Sequence, residues 1–102
     1  MSFGKGGVFL ISDLNSNDYK ILESIIDIKN NRGLSKGRGT TKKQIIEKTG
    51  FSHVKVYNTI KALLELKLID YGVKRVHADA FYITPKGYNR LKELRENIIL
   101  KG

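Results

Sequence analysis

The chain has 102 residues, of which 40% are hydrophobic and none is cysteine, and its 19 Lys and Arg against 10 Asp and Glu give a formal charge of +9. This length predicts one domain with a modest core. The lack of cysteine excludes disulfides and thiolate metal sites and favours a cytoplasmic protein. Because no apolar run approaches the length of a membrane span, we expect a soluble protein without membrane contact.

The positive charge is concentrated in the central part of the chain. Residues 32–75 contain eleven basic and only three acidic side chains. A basic surface that merely keeps the protein soluble would explain the total charge but not its concentration. Concentrated charge is what neutralising the phosphates of a nucleic acid requires, so nucleic acid is the favoured partner.

The first residues predict an N-terminal arm over residues 1–15, ahead of a domain formed by residues 16–102. The glycines of GKGG favour a flexible segment, whereas VFLI favours a short strand or a segment that packs on a neighbour. Both readings stay open. Because Lys5 is the only charge before residue 13, we favour packing over insertion into a minor groove.

A first helix is predicted over residues 16–30, with Ser16 or Asn17 as its cap and Asp18 in its first turn. Its apolar residues are Tyr19, Leu22, Ile25, Ile26 and Ile28. An apolar arc of this width indicates contact with the core and also with a partner subunit, although an ordinary core helix would need no partner.

A glycine-rich basic loop, RGLSKGRG, occupies residues 32–39. A phosphate-binding P-loop needs Gly-Lys-Ser/Thr at its end, and that sequence is missing here, so no nucleotide cofactor is expected. Lys36 and Arg38 in this loop either follow a DNA backbone or belong to a flexible solvated loop.

Two short helices joined by a tight turn are predicted next. Thr41 and Gln44 form a capping box that opens a helix to about residue 48. Gly50 supplies the turn, and Ser52 caps a second helix that runs to about residue 66. Its buried stripe is Val56, Ile60, Leu63 and Leu64, and Phe51 in the turn is expected in the core.

Two strands and a final helix complete the pattern. Strands over residues 68–71 and 80–84 flank a hairpin over residues 72–79 whose tip carries a basic pair. Thr84 and Pro85 predict the start of the last helix, with Leu91, Leu94 and Ile98 along its apolar edge. Because a monomer would leave residues 98–100 partly exposed, we expect a homodimer.

The two short helices resemble a helix-turn-helix. The matching residues are Thr41, Ile45, Gly50, Ser52, Val56, Ile60, Leu63, Leu68 and Ile69. The following IDYGVKRVHADAFYITPKG resembles the wing and next helix of the winged variety, and the resemblance covers residues 18–98. It implies an α+β fold, mostly α with a small β-hairpin wing, of the general MarR- and ArsR-like shape. Lys67 departs from the pattern, since many members have glycine there.

Within this superfamily, a ligand- or metal-responsive repressor is disfavoured. The wing lacks the Asp-x-Arg pair of MarR proteins, because Asp79 is followed by Ala80 and Phe81. Little helical sequence remains for a ligand pocket, and no cysteine is present to sense a metal. In size and charge the chain looks more like the TubR-type centromere-binding adaptors of plasmid or phage partition systems, a similarity of architecture alone.

The resemblance implies sequence-specific binding of double-stranded DNA by a homodimer, as a repressor or as a partition adaptor with a motor or regulator as a further protein partner. The expected DNA-binding residues are Lys36, Arg38, Thr41, Lys42, Ser52, His53, Lys55, Tyr57, Asn58, Lys61, Lys74, Arg75 and His77. The expected dimerisation residues are Tyr19, Leu22, Ile26, Leu91, Leu94 and Ile98. Asn58 suits adenine, and Lys55 or Lys61 suits guanine or phosphate.

Two other classes of function are alternatives to DNA binding. Winged helices also bind proteins, so the basic face could instead dock an acidic partner. An enzyme is disfavoured because the only histidines, His53 and His77, have no paired carboxylate at a telling spacing. We therefore expect no catalytic residue, no metal and no cofactor.

Overall fold

The computed structural model describes residues 14–101, with side chains described for residues 14–94. Its elements are α1 (Ser16–Ser24), β1 (Thr40–Thr41), α2 (Lys42–Thr49), α3 (His53–Glu65), β2 (Ile69–Tyr71), β3 (Ala80–Ile83) and α4 (Pro85–Lys101). This order, with α2 and α3 joined by a tight turn and β2 and β3 forming a hairpin, confirms the predicted winged helix-turn-helix. Apart from its last two residues, the predicted N-terminal arm lies outside the described residues.

Helix α1 is capped by Asn15 rather than by Ser16 or Asn17. The Asn15 Oδ1 atom accepts a hydrogen bond from the Asp18 amide at 2.9 Å, and the Asp18 Oδ2 atom accepts one from the Asn15 amide at 3.0 Å. This reciprocal capping box satisfies two amides that the helix itself leaves unpaired. It also holds a carboxylate at the positive end of the helix.

The predicted extension of α1 to residue 30 is wrong. The Asp27 carboxylate accepts hydrogen bonds from the Asn30 amide at 3.2 Å and from the Asn30 side chain at 2.8 Å. Asn31 follows with a φ of 54°. Short polar side chains that bond to nearby backbone compete with the helical pattern, and here they turn the chain away. Ile28 is consequently 79% exposed instead of lying on a buried face.

The turn between α2 and α3 forms as predicted. The Thr41 side chain and the Gln44 side chain make the expected capping box at 3.2 Å and 2.9 Å. Gly50 ends α2 in the left-handed conformation, with a φ of 74°, and its amide donates to the carbonyl of Ile46. Ser52 then caps α3 by accepting from the Lys55 amide at 3.1 Å. Phe51 is only half-buried and packs on the edge of the core.

Helix α3 ends in a Schellman motif in which Lys67 takes the place of the usual glycine. The Leu68 amide donates to Leu63 and the Lys67 amide donates to Leu64, while Lys67 adopts a φ of 65°. Leu63 and Leu68 are fully buried, as the hydrophobic contact of this motif requires. The departure at Lys67 therefore leaves the helix boundary intact but puts a β-carbon where it is sterically unfavourable.

The three strands form an antiparallel sheet in the order β1-β3-β2, with Thr40 opposite Phe81 and Ile69 opposite Ile83. The strands β2 and β3 lie within one residue of their predicted bounds. Strand β1 has only two residues and was not predicted from the sequence. The buried Thr40 hydroxyl donates to the carbonyl of Ile25 at 2.6 Å and so joins this edge of the sheet to the end of α1.

One hydrophobic core joins all four helices to the sheet. Its buried residues are Ile21, Leu22, Ile25, Ile45, Val56, Ile60, Leu63, Leu66, Leu68, Ile69, Phe81, Ile83 and Leu91. Val56, Ile60 and Leu63 are buried as predicted, whereas Leu64 is half-buried. In the described part of the chain, no helix is both long enough and apolar enough to span a bilayer.

Helix α4 starts against the end of α3. The Thr84 hydroxyl oxygen accepts from the Gly87 amide at 3.1 Å, and Pro85 occupies the first helical position as predicted. A β-carbon at Gly87 would lie only 2.0 Å from the Leu68 carbonyl oxygen. Glycine at this position is what allows the first turn of α4 to approach the backbone of the segment that joins α3 to β2 so closely.

The carboxylate of Asp18 connects α1 directly to α3. Its Oδ1 atom accepts from the Lys55 ammonium at 2.6 Å and from the Thr59 hydroxyl at 2.8 Å. Burial raises the pKa of Asp18, but the hydrogen bonds from Lys55, from the Asn15 amide and from Thr59 outweigh it and leave that pKa below its ordinary value. We call Asp18, Lys55 and Thr59 the α1–α3 clamp.

Breaking the clamp should destabilise the fold. Asp18→Asn removes the charge but keeps the shape, and it leaves the Lys55 ammonium without its counter-ion, so we expect a loss of about 1–3 kcal/mol in the free energy of unfolding. The matched control is Asp79→Asn, because the Asp79–Lys74 pair is exposed and spans 3.9 Å, where little stability is expected to depend on it. Urea unfolding at pH 7 measures both changes.

The same carboxylate predicts a pH dependence. The pKa of Asp18 is lower in the folded chain than in the unfolded chain. At pH values between these two pKa values, the unfolded chain therefore binds more protons than the folded chain. The stabilisation is therefore complete above the unfolded pKa, near pH 4, and is lost as the pH falls through the folded pKa. In Asp18→Asn, the free energy of unfolding should therefore depend less on pH below about pH 4. If it falls there as steeply as in the unmodified protein, the role of the clamp is contradicted.

Replacing Lys67 by glycine should stabilise the protein. Lys67→Gly relieves the left-handed strain at the end of α3, and after the entropic cost of glycine we expect a gain of about 0.5–1 kcal/mol. Lys67→Ala removes the same charge but keeps the β-carbon, so it should give no such gain. Thermal unfolding of the two variants separates backbone strain from side-chain charge.

Candidate nucleic-acid interface

The exposed side of α3 carries a stripe of four side chains. Val54, Tyr57, Asn58 and Lys61 are all exposed. Tyr57, Asn58 and Lys61 follow Val54 by three, four and seven residues, which places all four on one face of the helix. Val56, Ile60 and Leu63 on the other face are buried in the core. We call the four exposed residues the reading stripe.

Two lysines flank the tyrosine of the reading stripe. The Lys42 ammonium, at the start of α2, lies 4.6 Å from the centre of the Tyr57 ring, and the Lys61 ammonium lies 5.4 Å from it. Cations over an aromatic face are attracted by its quadrupole, so the ring holds both charges near the stripe. The tight turn between α2 and α3 thus unites a cation from each helix around one aromatic side chain.

Lys55, although predicted to contact DNA, has a partner inside the protein. Its ammonium lies against the Asp18 carboxylate, and its side chain is 32% exposed. The negative charge of Asp18 therefore neutralises the Lys55 ammonium within the protein itself. Lys42 and Lys61 thus lie beside Tyr57 of the reading stripe, whereas Lys55 is paired with Asp18.

The cap residues contribute hydroxyl groups to the same region. The oxygens of Thr41 and Ser52 accept hydrogen bonds from the amides of Gln44 and Lys55, which leaves the hydroxyl protons free to be donated outward. Neither α2 nor α3 has an acidic residue in its first turn. Helix starts of this kind favour an anion such as phosphate, and His53 is exposed beside them.

The hairpin between β2 and β3 carries the remaining basic residues predicted for the wing. Arg75 and Ala78 exchange both backbone hydrogen bonds, so Val76 and His77 form the exposed tip. Lys74 is exposed and near Asp79, whereas Arg75 is half-buried and donates to the Gly39 carbonyl at 3.5 Å. Lys74 and His77 are thus the more accessible of the three predicted wing residues.

Hydrogen bonds to the neighbouring segments of the chain hold the glycine-rich loop in place. The Arg38 guanidinium donates to the carbonyls of Asn31 at 3.0 Å and Asn30 at 3.1 Å. The Lys36 carbonyl accepts from the Val73 amide at 2.8 Å, which ties the loop to the wing. The Arg38 guanidinium therefore stabilises the loop. The Lys36 side chain, in contrast, is exposed beside the wing.

The predicted dimerisation residues are divided between core and surface. Leu22 and Leu91 are buried within the single chain. Tyr19 and Leu94 line an apolar groove of about 420 Å³ between α1 and α4, where the Tyr19 hydroxyl accepts from Arg90 at 3.0 Å. Ile26 lines a different groove, together with Ile28, Leu34 and Tyr88. The Ile98 side chain lies outside the described residues.

Val54 is the member of the reading stripe that the sequence analysis missed. Its apolar side chain matched neither a polar DNA contact nor the buried stripe, so it was assigned no role. The signal that would have found it is its spacing of three, four and seven residues from Tyr57, Asn58 and Lys61.

Comparison with known proteins links this geometry to a family, although no family model matches the chain. The chain is 33% identical over 81 residues to the DNA-binding protein TubR of Clostridium botulinum C phage, which covers 79% of this chain and 96% of that protein. The solution structure of the DNA-binding TubR fragment from Clostridium botulinum superimposes with a TM-score of 0.62 at 32% identity, covering 79% of this chain and 96% of the fragment.

A MarR family transcription regulator shares the fold, with a TM-score of 0.67 at 20% identity over 86% of this chain and 54% of its own. At that identity the likeness establishes the architecture alone. The identity to TubR, by contrast, extends over nearly the whole of the phage protein, and the solution structure of the TubR fragment shares the fold of this chain. The chain therefore belongs to the TubR family of winged helix-turn-helix DNA-binding proteins.

Proposed function

We propose that this protein binds double-stranded DNA sequence-specifically as a homodimer in the cytoplasm. It acts there as a transcriptional repressor, as a centromere-binding adaptor of a plasmid or phage partition system, or as both. Its relative from Clostridium botulinum C phage is named as a DNA-binding protein. The partition role rests on the resemblance to TubR-type adaptors.

The observation that carries the proposal is the composition of the reading stripe. An exposed tyrosine, an exposed asparagine and a lysine share one face of α3, and Lys42 adds a second cation to it. Solvent exposure alone does not explain why a tyrosine, an asparagine and two lysines lie together on one helix face. It suits a DNA groove, where the cations neutralise phosphate and the amide can pair with a base edge.

A binding mechanism follows from these positions. The hydroxyls and amides at the starts of α2 and α3, with Lys36 and Lys74, contact phosphates and fix the position of the protein on the duplex. Helix α3 then lies in the major groove, where the Asn58 amide pairs with adenine and Lys61 contacts guanine or phosphate. The wing, with His77 at its tip, lies against the adjacent minor groove or its phosphates.

The homodimer is proposed through the groove between α1 and α4. Leu14, Tyr19, Leu91 and Leu94 give this groove an apolar lining at the surface of the chain. A second copy that covers it would remove this apolar surface from water. A two-fold dimer also doubles the reading stripes, which would require a repeated or palindromic DNA site.

One observation favours a second candidate function, a protein-interaction module. Ile28, Leu34 and Tyr88 are exposed to 79%, 43% and 51% around a second apolar groove. Such a groove suits a protein partner, and the basic surface of the chain suits an acidic one. This function predicts binding to an acidic protein without preference for any DNA sequence.

Footprinting on DNA that flanks the protein's own gene, combined with a salt titration, separates these functions. Protection of one short site supports a repressor, and protection of a long cluster of repeats supports a partition adaptor. Weak uniform protection that salt abolishes would favour the protein-interaction module instead.

The cations around Tyr57 should determine the salt dependence of DNA binding. Lys42→Ala and Lys61→Ala should each weaken binding and reduce the slope of log affinity against log salt by about one, because each removes one phosphate-neutralising charge. Lys92→Ala, an exposed lysine on α4, is the matched control and should leave the slope unchanged. Fluorescence anisotropy at several salt concentrations measures all three; equal slopes for all variants would contradict the assignment.

Charging the α1–α4 groove should separate the subunits. Leu94→Glu places a carboxylate in the proposed interface, so sedimentation equilibrium should report the 11.6 kDa monomer where the unmodified chain reports twice that mass. Loss of the dimer should also lower the affinity for a duplex that carries two sites. The circular dichroism signal of the helices should not change. A variant that remains dimeric would place the interface elsewhere.

A further inference from the structure

Val54 is exposed in the first turn of α3, although it is apolar. Its side chain is 66% exposed, and it is not part of the core cluster that includes Val56 and Ile60. A single exposed apolar residue is common on protein surfaces. At this position, however, valine is also a weaker helix former than lysine or glutamate, so folding does not explain it.

The neighbours of Val54 define what it can meet. Asn58 lies one helical turn further along the same exposed face, and Tyr57 and Lys61 complete the reading stripe. The first residues of a recognition helix are those that contact base edges in the major groove. Val54 thus presents methyl groups next to an amide at the point of contact.

The chemistry of the major groove provides a partner for each of these side chains. The thymine C5-methyl group is the apolar feature of that groove, and apolar side chains contact it. Adenine offers N6 and N7, which pair with an asparagine amide. A valine and an asparagine one turn apart therefore match neighbouring A·T pairs.

We propose that Val54 determines specificity by packing against a thymine methyl group while Asn58 pairs with an adjacent adenine, so that the protein selects A·T-containing sites. The inference rests on the proposed function, since it requires α3 to lie in the major groove. It adds the identity of the bases to be read and the residue that reads them.

The test combines a change in the protein with a change in the DNA. Replacing a thymine by uracil removes only the methyl group from the groove. On the footprinted site, uracil at the contacted thymine should weaken binding of the unmodified protein about fourfold to tenfold, the effect of burying one methyl group. Val54→Ala should weaken binding to the thymine site to a similar extent and should lose most of the sensitivity to uracil, because the shorter side chain buries less of the methyl group.

Two further variants make the test specific. Val54→Thr keeps one methyl group in the same place, so it should retain part of the sensitivity to uracil. Val73→Ala is the matched control, because Val73 is also an exposed valine, at 57%, but lies in the wing. It should respond to uracil as the unmodified protein does.

The outcomes distinguish this inference from the proposed function. If the protein prefers its site over random DNA but uracil at every thymine leaves its affinity unchanged, the role of Val54 is wrong while the proposed function stands. If the effects of uracil and of Val54→Ala on binding affinity are additive, the two groups do not interact, and the role of Val54 is likewise wrong while the proposed function stands. No preference for the site over random DNA would overturn both.

Discussion

The geometry of the helix-turn-helix depends on one carboxylate. Asp18 belongs to the capping box of α1, and its other oxygen accepts from Lys55 and Thr59 of α3. Since α1 packs on both α2 and α3, this contact fixes the orientation of the recognition helix relative to the rest of the core. Together with the burial of Val56, Ile60 and Leu63 in the core, it leaves the reading stripe facing outward, because Thr59 and Lys55 lie on the side that faces α1.

The positive charge of the chain is divided between folding and binding. The Lys48 ammonium donates to the Ser24 carbonyl at 2.7 Å, at the end of α1, and the Lys86 ammonium donates to the Leu66 carbonyl at 3.0 Å, at the end of α3. Cations at helix ends of this kind satisfy unpaired carbonyls. Lys55 and Arg38 also have partners within the protein, so the net charge alone overstates what is available to DNA.

Local signals made much of the fold predictable from the sequence. The capping box of Thr41, the turn at Gly50, the cap at Ser52 and the proline at Pro85 each act within a few residues, and all formed as predicted. The predicted start of α1 was right, but its predicted end at residue 30 was wrong, because the apolar pattern continues through Ile28 beyond the point where the helix ends.

Contacts between residues far apart in sequence could not be predicted in the same way. The strand β1 exists only because β3 pairs with it, and the clamp of Asp18 and Lys55 joins residues 37 positions apart. Of the candidate site, the sequence predicted Lys42, Tyr57, Asn58 and Lys61 as binding residues, but it did not show that the Lys42 ammonium lies over the Tyr57 ring. Such contacts depend on how the elements pack and not on local pattern.

We propose that the reading stripe, on the face of α3 opposite the core, is the surface that contacts DNA. The most direct test is to titrate the ¹⁵N-labelled protein with its footprinted duplex and to follow the amide resonances by NMR. We expect the largest shifts at residues 52–61 and in the wing, with small shifts along the α1–α4 groove. Shifts concentrated around Ile28, Leu34 and Tyr88, with residues 52–61 unmoved, would contradict the account.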